Sequence, residues 1–126
     1  MKSVVDSDIL IDMLRQQEKA KIFIEKIIKD DNAACISTLT EAEVLSGKEC
    51  MDNIKREKTE GLLSSFRVID VTQSIARKAA EFRREHDVPL HDAIIAATAM
   101  ELKATLHSRN VNDFRKIQDL KLVVPY

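Results

Sequence analysis

Apolar positions along the chain change their spacing several times, and each change marks an element. Val4-Val5 is a short β-like run, and after Asp6-Ser7-Asp8 the residues Ile9, Leu10, Met13 and Leu14 recur at helical spacing. Phe23, Ile24, Ile27 and Ile28 put a second helical face before a turn-forming cluster, Lys29-Asp30-Asp31-Asn32. Ala33-Ala34-Cys35-Ile36-Ser37 reads as a buried strand, and Thr40-Glu41-Ala42-Glu43 opens a helix that meets Gly47. Residues 48 to 65 are polar and helical in character, although Gly61 weakens helix there. Phe66 to Val71 predicts a third strand, and Thr72 caps a helix with Ile75, Ala76, Ala79, Ala80 and Phe82 on one side, ended by Val88-Pro89-Leu90. From Asp92 to about Leu102 the sequence is apolar all round, as in a central buried helix. Residues 104–108 and 122–124 supply two last strands.

Strands that alternate with helices throughout predict right-handed βαβ units. The expected fold is α/β, a three-layer α/β/α sandwich around a central, mainly parallel sheet of about five strands. No linker, repeat or low-complexity segment divides the chain, so residues 1–126 are expected to form one domain.

Composition narrows the function classes. Hydrophobic residues at 44% and mixed charges at 33% describe a folding, water-soluble chain. No apolar run approaches the roughly 20 residues that span a bilayer, and Asp6 arrives before a signal core can develop, so a cytoplasmic location is expected. Cys35 and Cys50 lack CxxC or His-paired spacing and read as reduced structural thiols. A formal net charge of −1 argues against bulk electrostatic capture of nucleic acid, so such binding requires a local basic patch or a metal.

In open parallel sheets, functional side chains gather at the carboxyl ends of strands. That rule selects Asp6 after the first strand, Glu43 in the helix after the second, Asp92 at the head of the apolar helix, and Asn110 and Asp113 after the fourth. Each alone has a plain structural role: Asp8 serves as an N-cap, Asp6 binds a turn amide, Glu43 complements a helix dipole, Asp92 caps a helix, and Asn110 and Asp113 form loops. Together they place several carboxylates at one sheet edge, tolerable only with protonation or a cation. Hard oxygen ligands without Cys or His suit Mg²⁺, or Mn²⁺ in its place. Phosphodiester hydrolysis by a metal-activated water fits this inventory.

Four blocks then carry a resemblance: Val5-Asp6-Ser7-Asp8-Ile9-Leu10-Ile11-Asp12, Ile36 to Val44, Leu90-His91-Asp92-Ala93 through Ala99, and Leu106-His107-Ser108-Arg109-Asn110-Val111-Asn112-Asp113-Phe114. In order and spacing they resemble the signature blocks of PIN-domain toxins of the VapC type. The resemblance implies that Asp6, Glu43 and Asp92 bind metal, with Asn110 to Asp113 at the fourth, more variable acidic position. Where many relatives carry an acid, this chain has the amide Asn110, so Asp113 either supplies the missing carboxylate or the site runs on three acids. Glu43 is preferred over Glu41 by block alignment and because residues two apart face different sides of a helix. The resemblance further implies RNA as substrate, a VapB-type antitoxin as inhibitory partner and a homodimer. Lys48, Lys55, Arg56, Arg109, Arg115 and Lys116 are candidates for a groove, while Ser7, Thr40 and Ser108 either orient a water or cap helices.

Other readings absorb less of the sequence. A haloacid-dehalogenase-type phosphatase also starts from a strand and Asp-x-Asp, but needs a different following turn and a late acidic pair. A receiver domain wants its Asp after strand three, near Asp70, and leaves Glu43, Asp92 and the last block unused. A non-catalytic PIN-like module that binds RNA or a partner through a decayed metal site is the remaining alternative, and Asn110 is the residue that favours it.

Overall fold

The computed structural model describes residues 2–30 and 34–126. Along the chain come β1 (Ser3–Val5), α1 (Ser7–Leu14), α2 (Glu18–Asp30), β2 (Ala34–Ser37), α3 (Thr38–Leu45), a 3₁₀ turn (Lys48–Met51) and α4 (Asn53–Leu63). They are followed by β3 (Arg67–Ile69), α5 (Gln73–His86), α6 (Leu90–Glu101), β4 (Thr105–His107), α7 (Val111–Phe114) and β5 (Leu122–Val123). The turn expected at Asp31-Asn32 and the strand start at Ala33 lie outside the described residues. The five strands form one all-parallel sheet in the order β3-β2-β1-β4-β5.

Period-two alternation explains the layers. Val4, Cys35 and Leu106 point into one core with Ile75, Ala79 and Phe82 of α5 and the alanine-rich α6. Val5, Ala34 and Ile36 point into the other, against Ile9 and Leu10 of α1, Ile24 and Ile27 of α2, Val44 of α3 and Leu63 of α4. Both faces of the central strands β1, β2 and β4 are therefore covered, and the expected α/β/α sandwich is what forms. Cys35 and Cys50 are buried, and neither forms a disulfide among the described residues.

Local signals set the helix starts. Ser37 Oγ accepts from Leu39 N at 3.0 Å to cap α3, Asp52 caps α4, and Thr72 caps α5 as expected. Helix α6 begins earlier than the apolar run suggested. Pro89 stands at its N-cap with φ −56°, which places Leu90 first and Asp92 inside the first turn. Helix α5 stops at Asp87, whose φ of 53° breaks the helical path.

The chain winds from β1 outward to β3, then returns to lay β4 on the other side of β1. This reversal opens a crevice beyond the carboxyl ends of β1 and β4. The register pairs Val5 with His107, so Asp6 and Ser108, one residue beyond each strand, lie side by side at the crevice.

Candidate active site

Asp6 leaves β1 and caps α1, its Oδ1 accepting from Ser7 N at 2.8 Å. Its Oδ2 accepts from Ser108 Oγ at 2.8 Å, and its own N–H donates to His107 O at 3.0 Å. Asp6 is thus fastened across both strands while only 5% exposed. Burial, reinforced by the negative charge of Asp8, pushes its carboxyl up to about 7 against the bonds from Ser108 and Ser7.

Asp8 is not the cap of α1 that sequence reasoning assigned. Asp6 takes that position because its backbone is extended, with φ −77° and ψ 158°, whereas Asp8 already lies in the helix. Asp8 instead reaches across to the β4–α7 loop, its Oδ2 accepting from Arg109 N at 2.9 Å and lying 3.4 Å from Ser108 Oγ. Its Oδ1 is buried with no hydrogen-bond partner among the described residues. Burial raises its pKa above the usual aspartate range, against the bonds from the loop. This is the acid that sequence reasoning missed as a site residue. The Asp-x-Asp spacing was its signal, and a capping role concealed it.

Asp92, 2% exposed, stands in the first turn of α6. Its Oδ1 lies 3.0 Å from His91 Nε2, and its Oδ2 is 3.4 Å from Asn110 Nδ2. Burial raises its pKa, His91 opposes the rise, and the charges of Asp113 and Glu43 add to it. Asp113 is close enough for its charge to act on Asp92, and it forms an ion pair with Lys116 Nζ at 3.3 Å. Asn110 and Asp113 therefore both adjoin Asp92. Phe114, 1% exposed, anchors the short helix that carries Asp113.

Glu43 lies in α3 with its Oε1 buried and without a hydrogen-bond partner among the described residues. It adds to the charge around Asp92. Beside it opens a cavity of about 480 Å³ lined in part by Arg15, Lys55 and Lys58. Thr40 does not cap α3, since Ser37 does; its Oγ1 is fully buried and also lacks a partner among the described residues. Ser7 contributes its backbone amide to Asp6.

Raised carboxyl pKa values and the unpartnered oxygens of Asp8 and Glu43 fit a cation that would replace protons as the neutralising charge. Among the described residues no three His, Cys, Asp or Glu side chains are drawn together into a group that could hold a metal ion as they stand. Ser108 and Asn110 stand between the acids, hydrogen-bonded to Asp6 and Asp92 respectively, so a cation would have to share these carboxylates with them.

Comparison with known proteins decides the family. The PIN domain model matches residues 3–120. The chain belongs to the PIN-domain family, on its VapC branch. This PIN domain is 37% identical over 123 residues to ribonuclease VapC10 of Mycobacterium tuberculosis, covering 94% of this chain and 90% of the relative. Ribonuclease VapC19 of the same organism is 28% identical over 126 residues, covering 94% and 96% of the two chains. A toxin–antitoxin complex from Klebsiella pneumoniae contains a chain that superposes with a TM-score of 0.85 at 33% identity, covering 99% of this PIN domain and 98% of that chain. The DNA-bound VapBC of Salmonella typhimurium superposes with a TM-score of 0.86 at 21% identity, covering 100% and 99%, and speaks for the fold alone. Among the described residues no helix is long and apolar enough to cross a membrane.

Proposed function

We propose that this chain is a metal-dependent endoribonuclease and the toxin half of a toxin–antitoxin pair, with a VapB-type antitoxin as its partner. The observation that carries the reading is the convergence of Asp6, Asp92, Glu43 and Asp113 at the strand-order reversal, where burial and mutual repulsion raise the carboxyls of Asp6 and Asp92. The names of its VapC10 relative and of the Klebsiella complex support ribonuclease and toxin–antitoxin roles. The family resemblance supplies a homodimer and cytoplasmic RNA as the target.

Asp6, Asp92 and Glu43 would hold Mg²⁺, with Mn²⁺ as a substitute and Asp113 as the fourth carboxylate. When bound, the cation supplies positive charge for the phosphate and acidifies a water. The chain's own groups position these acids. Ser108 fixes the Oδ2 of Asp6, the Asn110 amide stands against Asp92 Oδ2, and Lys116 steadies Asp113. The unpartnered Oε1 of Glu43 is an acceptor for a proton of the attacking water. Asn110 thus acts as a positioning amide, with the acid placed three residues later.

RNA cleavage measured with Mg²⁺, with EDTA, and with Asp6→Asn tests this. Cleavage is expected only in the first, with Asp6→Asn slower by about a hundredfold or more. Three identical traces would leave the non-catalytic binding module as the reading, with Asn110 as the mark of a decayed site.

A further inference from the structure

Among the candidate groove cations, Arg109 is tied to the acidic centre through its backbone. Its backbone N–H donates to Asp8, and its sequence neighbours Ser108 and Asn110 hold Asp6 and Asp92. Two other cations of the set already have partners, Arg56 away from the centre and Lys116 on one of its acids. Arg56 donates to Cys50 O and Asn53 Oδ1, and Lys116 pairs with Asp113.

The guanidinium of Arg109 is mounted by its face. Its Cζ lies 4.7 Å from the ring centroid of Tyr126, in cation–π range. The Tyr126 hydroxyl donates to Asp12 Oδ2 at 2.7 Å. That same carboxylate oxygen stands 3.8 Å from Arg109 Nη1, beyond hydrogen-bonding distance. Tyr126 therefore shares that oxygen with Arg109, whose own ion pair to Asp12 is left long. The result is a flat cation, 46% exposed, stacked on one side and keeping N–H groups for an outside ligand.

We propose that Arg109, held by Tyr126 and Asp12, receives a phosphate of the RNA strand next to the one positioned at the acids. This rests on the ribonuclease reading above. A polyanion approaching Asp6, Asp8, Glu43, Asp92 and Asp113 meets repulsion that a net charge of −1 does not offset. A guanidinium held on Tyr126 and Asp12, in a residue whose backbone is tied to Asp8, supplies the local attraction, and its planar fork matches phosphate oxygens. Tyr126 and Asp12 are positioning residues in this arrangement.

The test measures binding of a short fluorescein-labelled single-stranded RNA of mixed sequence to the full chain carrying Asp6→Asn, across a salt series with Mn²⁺. Adding Arg109→Ala is expected to weaken binding about tenfold and to flatten the slope of log K against log salt by about 0.7, the loss of one phosphate contact. Arg109→Lys is expected to keep that slope and recover part of the affinity, and Tyr126→Phe to weaken binding about threefold by letting Arg109 close on Asp12. In the otherwise unaltered chain, Arg109→Ala is expected to raise KM with kcat little changed, with thermal melts confirming the fold. Unchanged RNA affinity and salt slope in Arg109→Ala, while the parent chain still cleaves RNA, overturns this proposal alone. A parent chain that cleaves no RNA with Mg²⁺ or Mn²⁺ overturns the ribonuclease reading and this proposal with it.

Discussion

Asp6 shows how a single residue couples folding to pH. Its folded pKa of about 7 lies above the ordinary 3.8, so between those values the folded chain binds a proton that the unfolded chain has released. Stability from this group is full below about pH 4 and is lost as pH rises through 7. Asp6→Asn removes the burial cost of the charge, and Ser108 Oγ, already 3.4 Å from Asp8 Oδ2, can turn its proton there instead. Urea unfolding in EDTA should find Asp6→Asn more stable than the parent by about 1–3 kcal/mol at pH 8, with the gap closing by pH 4. A gap that stays constant with pH would show that Asp6 is not the titrating group. Residue identity made Asp6, Glu43 and Asp92 legible as candidates in the sequence, because acids at strand ends are countable. Asp8 was misread because its partners, Ser108 and Arg109, are about a hundred residues away, and no local pattern carries that pairing.

At the scale of elements, periodicity located the strands and the apolar α6 well because the central strands β1, β2 and β4 are covered on both faces and α6 is enclosed. Boundaries were less legible where backbone geometry outweighs hydrophobicity, as at Pro89, which starts α6 two residues before Asp92. Region 48 to 65 resolved into a 3₁₀ turn and α4, with the N-cap Asp52 between them accepting from Lys55 N. Gly61 sits inside α4, and a Cβ built there meets nothing within 4 Å. Its flexibility lowers helix stability with no compensating contact. Gly61→Ala should therefore stabilise the chain by about 0.5–1 kcal/mol, or about 2–4 °C in Tm by thermal melting. A fall in Tm would mean that this exposed face of α4 is constrained by something other than the helix itself.

The whole molecule organises its acids through topology. Strand order β3-β2-β1-β4-β5 sets Asp6 beside Ser108, and the returning α6 and α7 bring Asp92 and Asp113 to the same crevice. An enclosure of carboxyls with raised pKa values is a folded state waiting for positive charge, and a cation that binds only the folded chain stabilises it by mass action. At a concentration about a hundred times its Kd, Mn²⁺ adds about 2.7 kcal/mol, which is about 10 °C in Tm for a chain of this size. Binding competes with protons on Asp6 and Asp92, so the shift should be large at pH 8 and much smaller at pH 6, below the pKa of about 7 at Asp6. Asp6→Asn should lose most of the shift at pH 8 while retaining its fold. Thermal melts of both chains over a Mn²⁺ titration at the two pH values measure this, and a parent Tm that Mn²⁺ leaves unmoved at pH 8 would remove the metal from the site.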